Sequence, residues 1–134
     1  MLYAVIDTNV LVSALLSRFG DSSTVVVRNY ILEGTIIPLY NEEILQEYLS
    51  VLHRPKFQIP ADKVDGILDA IIKNGLMLGR TGSEEKFLDP KDIVFYEVAL
   101  SKEGSFLVTG NTKHFPKTPI VVTPAELLEI IKDM

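Results

Sequence analysis

Asp7, Glu47, Asp92 and Asn111 are the residues of this sequence whose types and positions could do chemistry together. Asp7 ends the apolar run Leu2 to Ile6, Glu47 falls inside a helical pattern, Asp92 follows Asp89-Pro90-Lys91, and Asn111 follows Phe106 to Thr109. Carboxylate and amide oxygens suit magnesium or manganese, ions that keep several of their waters and bind substrate phosphate groups. An ion held in that way activates water and offsets charge on a leaving oxygen, so the chemistry indicated is metal-assisted hydrolysis of a phosphodiester.

Each residue also has a plainer reading. Asp7-Thr8-Asn9 is a run of good helix caps, so Asp7 can be a cap rather than a ligand. Glu47 lies beside Ile44 and Val51 at about 100° per residue, on the border of an apolar stripe, where an acid can simply reach into solvent. Glu43 is one turn earlier on the same side, a like-charge pair that is unfavourable unless a cation is near. Asp92 aligns with Tyr96, Ala99 and Leu100, so it is expected to face inward, where an unpaired charge is costly; it can also serve the helix amino terminus. Asp89 fits a cap better and ranks behind Asp92 as a ligand. Gly110-Asn111 is an ordinary turn pair, and His114 suits a loop near substrate phosphates or a purely structural place.

The elements that would position these residues alternate between strand and helix. Strands are predicted at Leu2 to Ile6, Ile36 to Tyr40, Leu76 to Leu78, Phe106 to Thr109 and Ile120 to Val122. Helices are predicted from Val10 to Leu16, from a Ser22 or Ser23 cap through Leu32 with Gly34 as the stop, from an Asn41 cap to Arg54-Pro55, and from Ala61 to Lys73. Asp89-Pro90-Lys91-Asp92 starts another that reaches about Ser101, and Thr123-Pro124-Ala125-Glu126 starts the last with a capping box. This order indicates an α/β fold with a mainly parallel sheet, because parallel neighbours need a crossover that is usually helical. Sites in such sheets gather beyond the carboxyl ends of the strands, where Asp7 and the Gly110-Asn111 turn both fall.

The bulk composition narrows the alternatives. With 134 residues, 47% hydrophobic and 23% charged, the chain is expected to form one globular domain spanning 1-134. It has no cysteine and only two histidines, which excludes disulfides, thiolate metal sites and an all-imidazole zinc centre. The net charge of -5 argues against binding nucleic acid by charge neutralisation alone, and Arg18, Arg54, Lys56 and Lys113 are scattered candidates for phosphate contact. The amino terminus has no basic leader, and no apolar run approaches the roughly 18 residues of a membrane span, so the expected location is cytoplasmic, with no membrane partner.

At this level of detail the sequence resembles the PIN-domain family, and within it small prokaryotic proteins described as toxins of toxin–antitoxin systems. Asp7-Thr8-Asn9-Val10-Leu11-Val12-Ser13-Ala14-Leu15-Leu16 looks like the family's opening motif, and Glu43 to Leu49 with Val51-Leu52 resembles the second, whose acidic ligand falls on Glu47. Asp89-Pro90-Lys91-Asp92 with Ala99 is similar to the third, with Asp92 as ligand and Asp89 in support. Leu107-Val108-Thr109-Gly110-Asn111 resembles the fourth, and Thr123 to Leu128 the closing helix. The resemblance implies a three-layer α/β/α sandwich, a magnesium- or manganese-dependent endoribonuclease acting on RNA, a homodimer and an antitoxin protein as partner. Many relatives carry Asp where this chain has Asn111, which lowers the charge available to a second ion. In the leading reading Asp7, Glu47 and Asp92 bind the metal, Asn111 assists, and Thr109 orients a ligand or water.

Two other classes stay open. A non-catalytic RNA- or protein-binding module would keep the fold and lose the ion. A phosphotransferase or phosphohydrolase using Asp7 as nucleophile would want a second Asp two residues on, where this chain has Asn9.

Overall fold

In the computed structural model, which describes residues 1–134, five parallel strands run through the molecule in the order β3-β2-β1-β4-β5. They are β1 (Leu2–Ile6), β2 (Ile36–Tyr40), β3 (Leu76–Met77), β4 (Phe106–Val108) and β5 (Val121–Val122). The helices are α1 (Thr8–Leu16), α2 (Ser23–Glu33), α3 (Glu42–Leu52), α4 (Ala61–Asn74), α5 (Ile93–Leu100) and α6 (Pro124–Lys132). The central strands are apolar runs, not alternating ones, because both of their faces are covered: Ala4, Val5, Ile6, Ile36, Leu39, Leu107 and Val108 are fully shielded from solvent.

Chain direction sets the layers. The crossovers β1 to β2 and β2 to β3 step one way across the sheet, and β3 to β4 steps back. Right-handed crossovers then put α5 on the face opposite α2 and α4. Accordingly α5 packs on β1, β2 and β4, whereas α2 and α4 touch each other and β2, with α6 against α2. The result is the expected three-layer α/β/α sandwich, with every strand pairing parallel. No helix is long and apolar enough to cross a membrane.

Local signals explain most boundaries. Asn41 Oδ1 accepts the Ile44 amide at 2.9 Å, Ser22 Oγ accepts that of Val25, and Thr123 with Glu126 forms both bonds of a capping box. Gly34 takes the left-handed conformation, φ 87°, that stops α2. Two expectations are corrected. The helix predicted from Asp89 begins as a 3-10 turn, Pro90–Asp92, before α5: the Asp89 side chain accepts the Lys91 amide and its carbonyl the Asp92 amide, both at 3.0 Å, which tightens the entry. Leu100 is not on the inner face with Asp92, Tyr96 and Ala99; it is 37% exposed at the end of α5. Smaller differences are that α1 starts at Thr8, and that Leu78, Thr109 and Ile120 lie just outside their strands.

Gly75 joins α4 to β3 where there is no room for a side chain. A Cβ there would lie 2.2 Å from the Ile71 carbonyl oxygen and 2.6 Å from that of Pro38. Both obstacles are backbone, so neither can swing away. Gly75→Ala is expected to lower the unfolding free energy by about 1–3 kcal/mol in urea denaturation, the usual range for overpacking; an unchanged midpoint would show that the α4–β3 junction yields freely.

Candidate functional site

The pairing of Ile6 with Val108 brings the carboxyl ends of β1 and β4 level. Asp7 and Thr109, the next residues on each strand, therefore stand side by side. Asp7 N donates to the Val108 carbonyl and Thr109 N to that of Val122, each at 2.9 Å. Thr109 Oγ1 donates to Asp7 Oδ2 at 2.8 Å and accepts the Asn111 amide at 3.0 Å. A hydroxyl has one proton, and here it is committed to the carboxylate. Asp7 occupies the position before α1 without a full side-chain capping bond, although the Thr8 and Asn9 amides there favour its charged form. It is 7% exposed, and burial raises its pKa above the ordinary carboxylate value, opposed by the Thr109 bond and reinforced by the nearby Glu47 charge.

Glu47 is held from the opposite side of the edge. Thr8 Oγ1, in the first turn of α1, donates to Glu47 Oε2, so Glu47 does not simply extend into solvent. One residue on, the buried Tyr48 hydroxyl donates to the Ile6 carbonyl, fastening α3 to the end of β1. Burial, then the charges of Asp7 and Glu47, hold the Tyr48 phenol well above its usual pKa, so it stays a donor.

Asp92 is the least satisfied of the acids. Its Oδ2 is buried and has no hydrogen-bond partner; the nearest cationic group, His114 Nδ1, is 3.5 Å away. Burial, with the charges of Asp7, Asp89 and Glu47, pushes the Asp92 carboxyl up to about 6, against the opposing pull of His114. His114 thus lies beside an acid. Asp89 is exposed and spends one oxygen on the Lys91 amide, which is the cap role. Asn111 is exposed, and its side chain makes no hydrogen bond; only its amide joins the Thr109 chain. No three Asp, Glu or His side chains converge closely enough to enclose an ion between them.

Glu43 has a cation beside it in Arg80, whose ion pairs do not include Glu47. Its guanidinium meets both oxygens of Glu43 at 2.9 Å and Glu97 Oε1 at 2.6 Å, while the Ser83 amide donates to the other Glu97 oxygen at 2.8 Å. The Arg80 bond holds the buried Glu97 below the usual carboxylate range. Glu43 is on α3 and Glu97 on α5, so one side chain ties together the helices that follow β2 and β3 and that carry Glu47 and, at the turn before α5, Asp92. Sequence reading passed over Arg80, Glu97 and Thr8. Glu97 sits in an otherwise apolar helix, and an acid there was the available signal.

The family model for the PIN domain matches residues 3–113, which spans β1 through the turn after β4 and contains every acid described above. The chain belongs to the PIN-domain family. Neither the curated proteins nor the solved structures contain a significant match. PIN domains have a nuclease-type fold and are generally nucleases that depend on divalent metal ions. In this PIN domain Asp7, Thr109 and Asp92 lie at the carboxyl edge of the parallel sheet.

Because folding raises the Asp92 pKa from the ordinary 3.8 to about 6, the native state holds the proton more tightly than the unfolded chain. The associated stability is present in full below about pH 4 and lost as the pH rises through about 6. In metal-free buffer Asp92→Asn is therefore expected to be more stable than wild type at pH 7.5, by about 1–2 kcal/mol once solvent screening is allowed for. Thermal melts of both proteins from pH 4 to 8 check this, and an Asn variant that melts lower at pH 7.5 would contradict the electrostatic account of Asp92.

Proposed function

We propose that this PIN domain is an endoribonuclease that hydrolyses RNA phosphodiester bonds with magnesium or manganese, using Asp7, Glu47 and Asp92 as the metal-binding acids and Asn111 and Asp89 in support. The observation that carries the reading is the buried Asp92 oxygen, which has no hydrogen bond, meets only His114 at 3.5 Å, and is repelled by Asp7 and Glu47 at the carboxyl edge of the sheet. Such a group is costly unless a cation completes it. The donor set fits: all oxygen, negatively charged, partly desolvated. Magnesium is usually bound through one or two carboxylates with waters filling the remaining positions, so the reading does not require all three acids to touch the ion directly.

When bound, the ion would supply an activated water and offset the charge that builds on the phosphodiester. The residues of the chain do the rest. Thr109 fixes the Asp7 carboxylate by donating its only proton, and the Asn111 amide fixes Thr109. Thr8 orients Glu47, and Tyr48 keeps α3 seated on β1. His114, beside Asp92 and 44% exposed, is placed to meet the substrate backbone or to hold a proton near it. On the family resemblance we extend the proposal to a cytoplasmic, homodimeric toxin restrained by an antitoxin protein.

One observation favours a second reading, a non-catalytic RNA- or protein-binding module: Asn111 brings no charge to the edge and its side chain makes no hydrogen bond to any of the acids. Metal binding separates the two. Under the enzyme reading manganese cleaves labelled RNA with wild type, chelation stops it, and Asp7→Asn loses it. Thr109→Val, which removes the bond behind Asp7, is expected to weaken manganese binding by calorimetry about 10- to 100-fold. Cleavage that persists through both chelation and Asp7→Asn overturns the mechanism, and absence of manganese binding at millimolar concentration assigns the domain to the second reading.

A further inference from the structure

Beside the acids the carboxyl edge opens into a cleft of about 700 Å3, bounded by the turn after β4, the segment 115–119, β5 and the first turn of α6. Its wall begins at Thr112, the residue after Asn111, and none of Asp7, Glu47 or Asp92 lines it. His114, between the wall residues Lys113 and Phe115, reaches back to Asp92. The cleft thus starts where the acidic cluster ends.

Its chemistry differs from the rest of the molecule. The chain carries a net charge of -5, yet this wall has Lys113 and Lys117, both exposed, against one acid, Glu126. Glu126 Oε1 is already engaged, accepting the Thr123 amide at 2.9 Å in the cap of α6. The lysines have no carboxylate within ion-pair distance. Between them Pro116, Pro119 and Val121 provide an apolar surface. Thr118 also lines the wall, with its hydroxyl turned inward, shielded from solvent and without a hydrogen bond.

We propose that this cleft holds the single-stranded RNA on one side of the bond to be cut, with Lys113 and Lys117 on backbone phosphates and bases against the proline and valine surface. The identity of the ligand rests on the nuclease reading; the cleft itself does not depend on catalysis. A strand with unstacked bases fits better than a duplex, because a duplex offers its phosphates outward and keeps its bases from an apolar wall. A groove that pairs backbone cations with apolar surface is how single strands are commonly held without sequence readout.

The test measures binding without cleavage. Asp7→Asn protein in chelator is titrated with a fluorescein-labelled single-stranded RNA, and the affinity is followed by anisotropy across potassium chloride concentrations. Adding K113Q and K117Q is expected to flatten the plot of log affinity against log salt by about 1.4, the value for two phosphate contacts to a single strand. K73Q with K132Q removes the same charge at the amino edge of the sheet and is expected to leave the slope unchanged. A slope that K113Q/K117Q leaves intact, or that the control pair flattens equally, overturns the proposal, as does lysine-dependent binding seen only with an acidic peptide. Because cleavage is not read, a wild type that binds through these lysines but cuts nothing sinks the nuclease reading alone. A wild type that cuts with an unaltered slope sinks the cleft alone.

Discussion

Strand pairing between Ile6 and Val108 brings together residues 102 positions apart, Asp7 and Thr109, and the hydrogen bond between them can exist only if that register holds. Slipping the register by one residue would turn the apolar side chains of β4 to the wrong faces and carry Thr109 away from the aspartate. Close packing of β1 and β4, rather than any attraction between polar groups, is therefore what positions the polar groups. The Tyr48 and Thr8 bonds then bring α3 to the same edge, and the turn before α5 brings Asp92.

Those positions are held against electrostatic resistance. Asp7, Glu47, Asp89 and Asp92 repel one another, and burial penalises the charge on Asp7 and Asp92. The hydrophobic cluster beneath them, which includes Ile6, Val10, Tyr48, Phe95 and Val108, supplies the rigidity that keeps the acids from separating. Three acids away from this edge have partners of their own: Glu43 and Glu97 share Arg80, and Glu126 closes the cap of α6. What sets the edge apart is that acids partly buried there lie close enough to raise the pKa of Asp7 and Asp92, a pattern that clusters at functional sites.

How much of this was readable in the sequence depended on whether the cause was local. The caps at Ser22, Asn41 and Thr123 and the stop at Gly34 are dictated by neighbours within a few residues, and they were legible. So was a mainly parallel sheet, because strands alternate with helices along the chain; the structure makes it parallel throughout. Asp7 was legible as a candidate but not as a residue held by Thr109, a partner on a distant strand. Arg80 was invisible as a link: it lies in a segment without periodicity, and both of its partners are far along the chain. The 3-10 entry to α5 was missed because Asp, Pro and a second acid signal a helix start equally well for either geometry. The resemblance to PIN domains supplied the grouping of the acids, which periodicity alone left as separate ambiguities.

The strands shorten outward from the centre: β1 and β2 have five residues each, β4 has three, and the edge strands β3 and β5 only two. An exposed edge normally invites another chain to add its own strand, the usual start of runaway aggregation. Here either edge has too few unpaired backbone groups to template an incoming strand. The sheet is closed to growth by brevity, without charged guards or bulges, and any lasting contact between two copies of this chain has to form through its helices and loops.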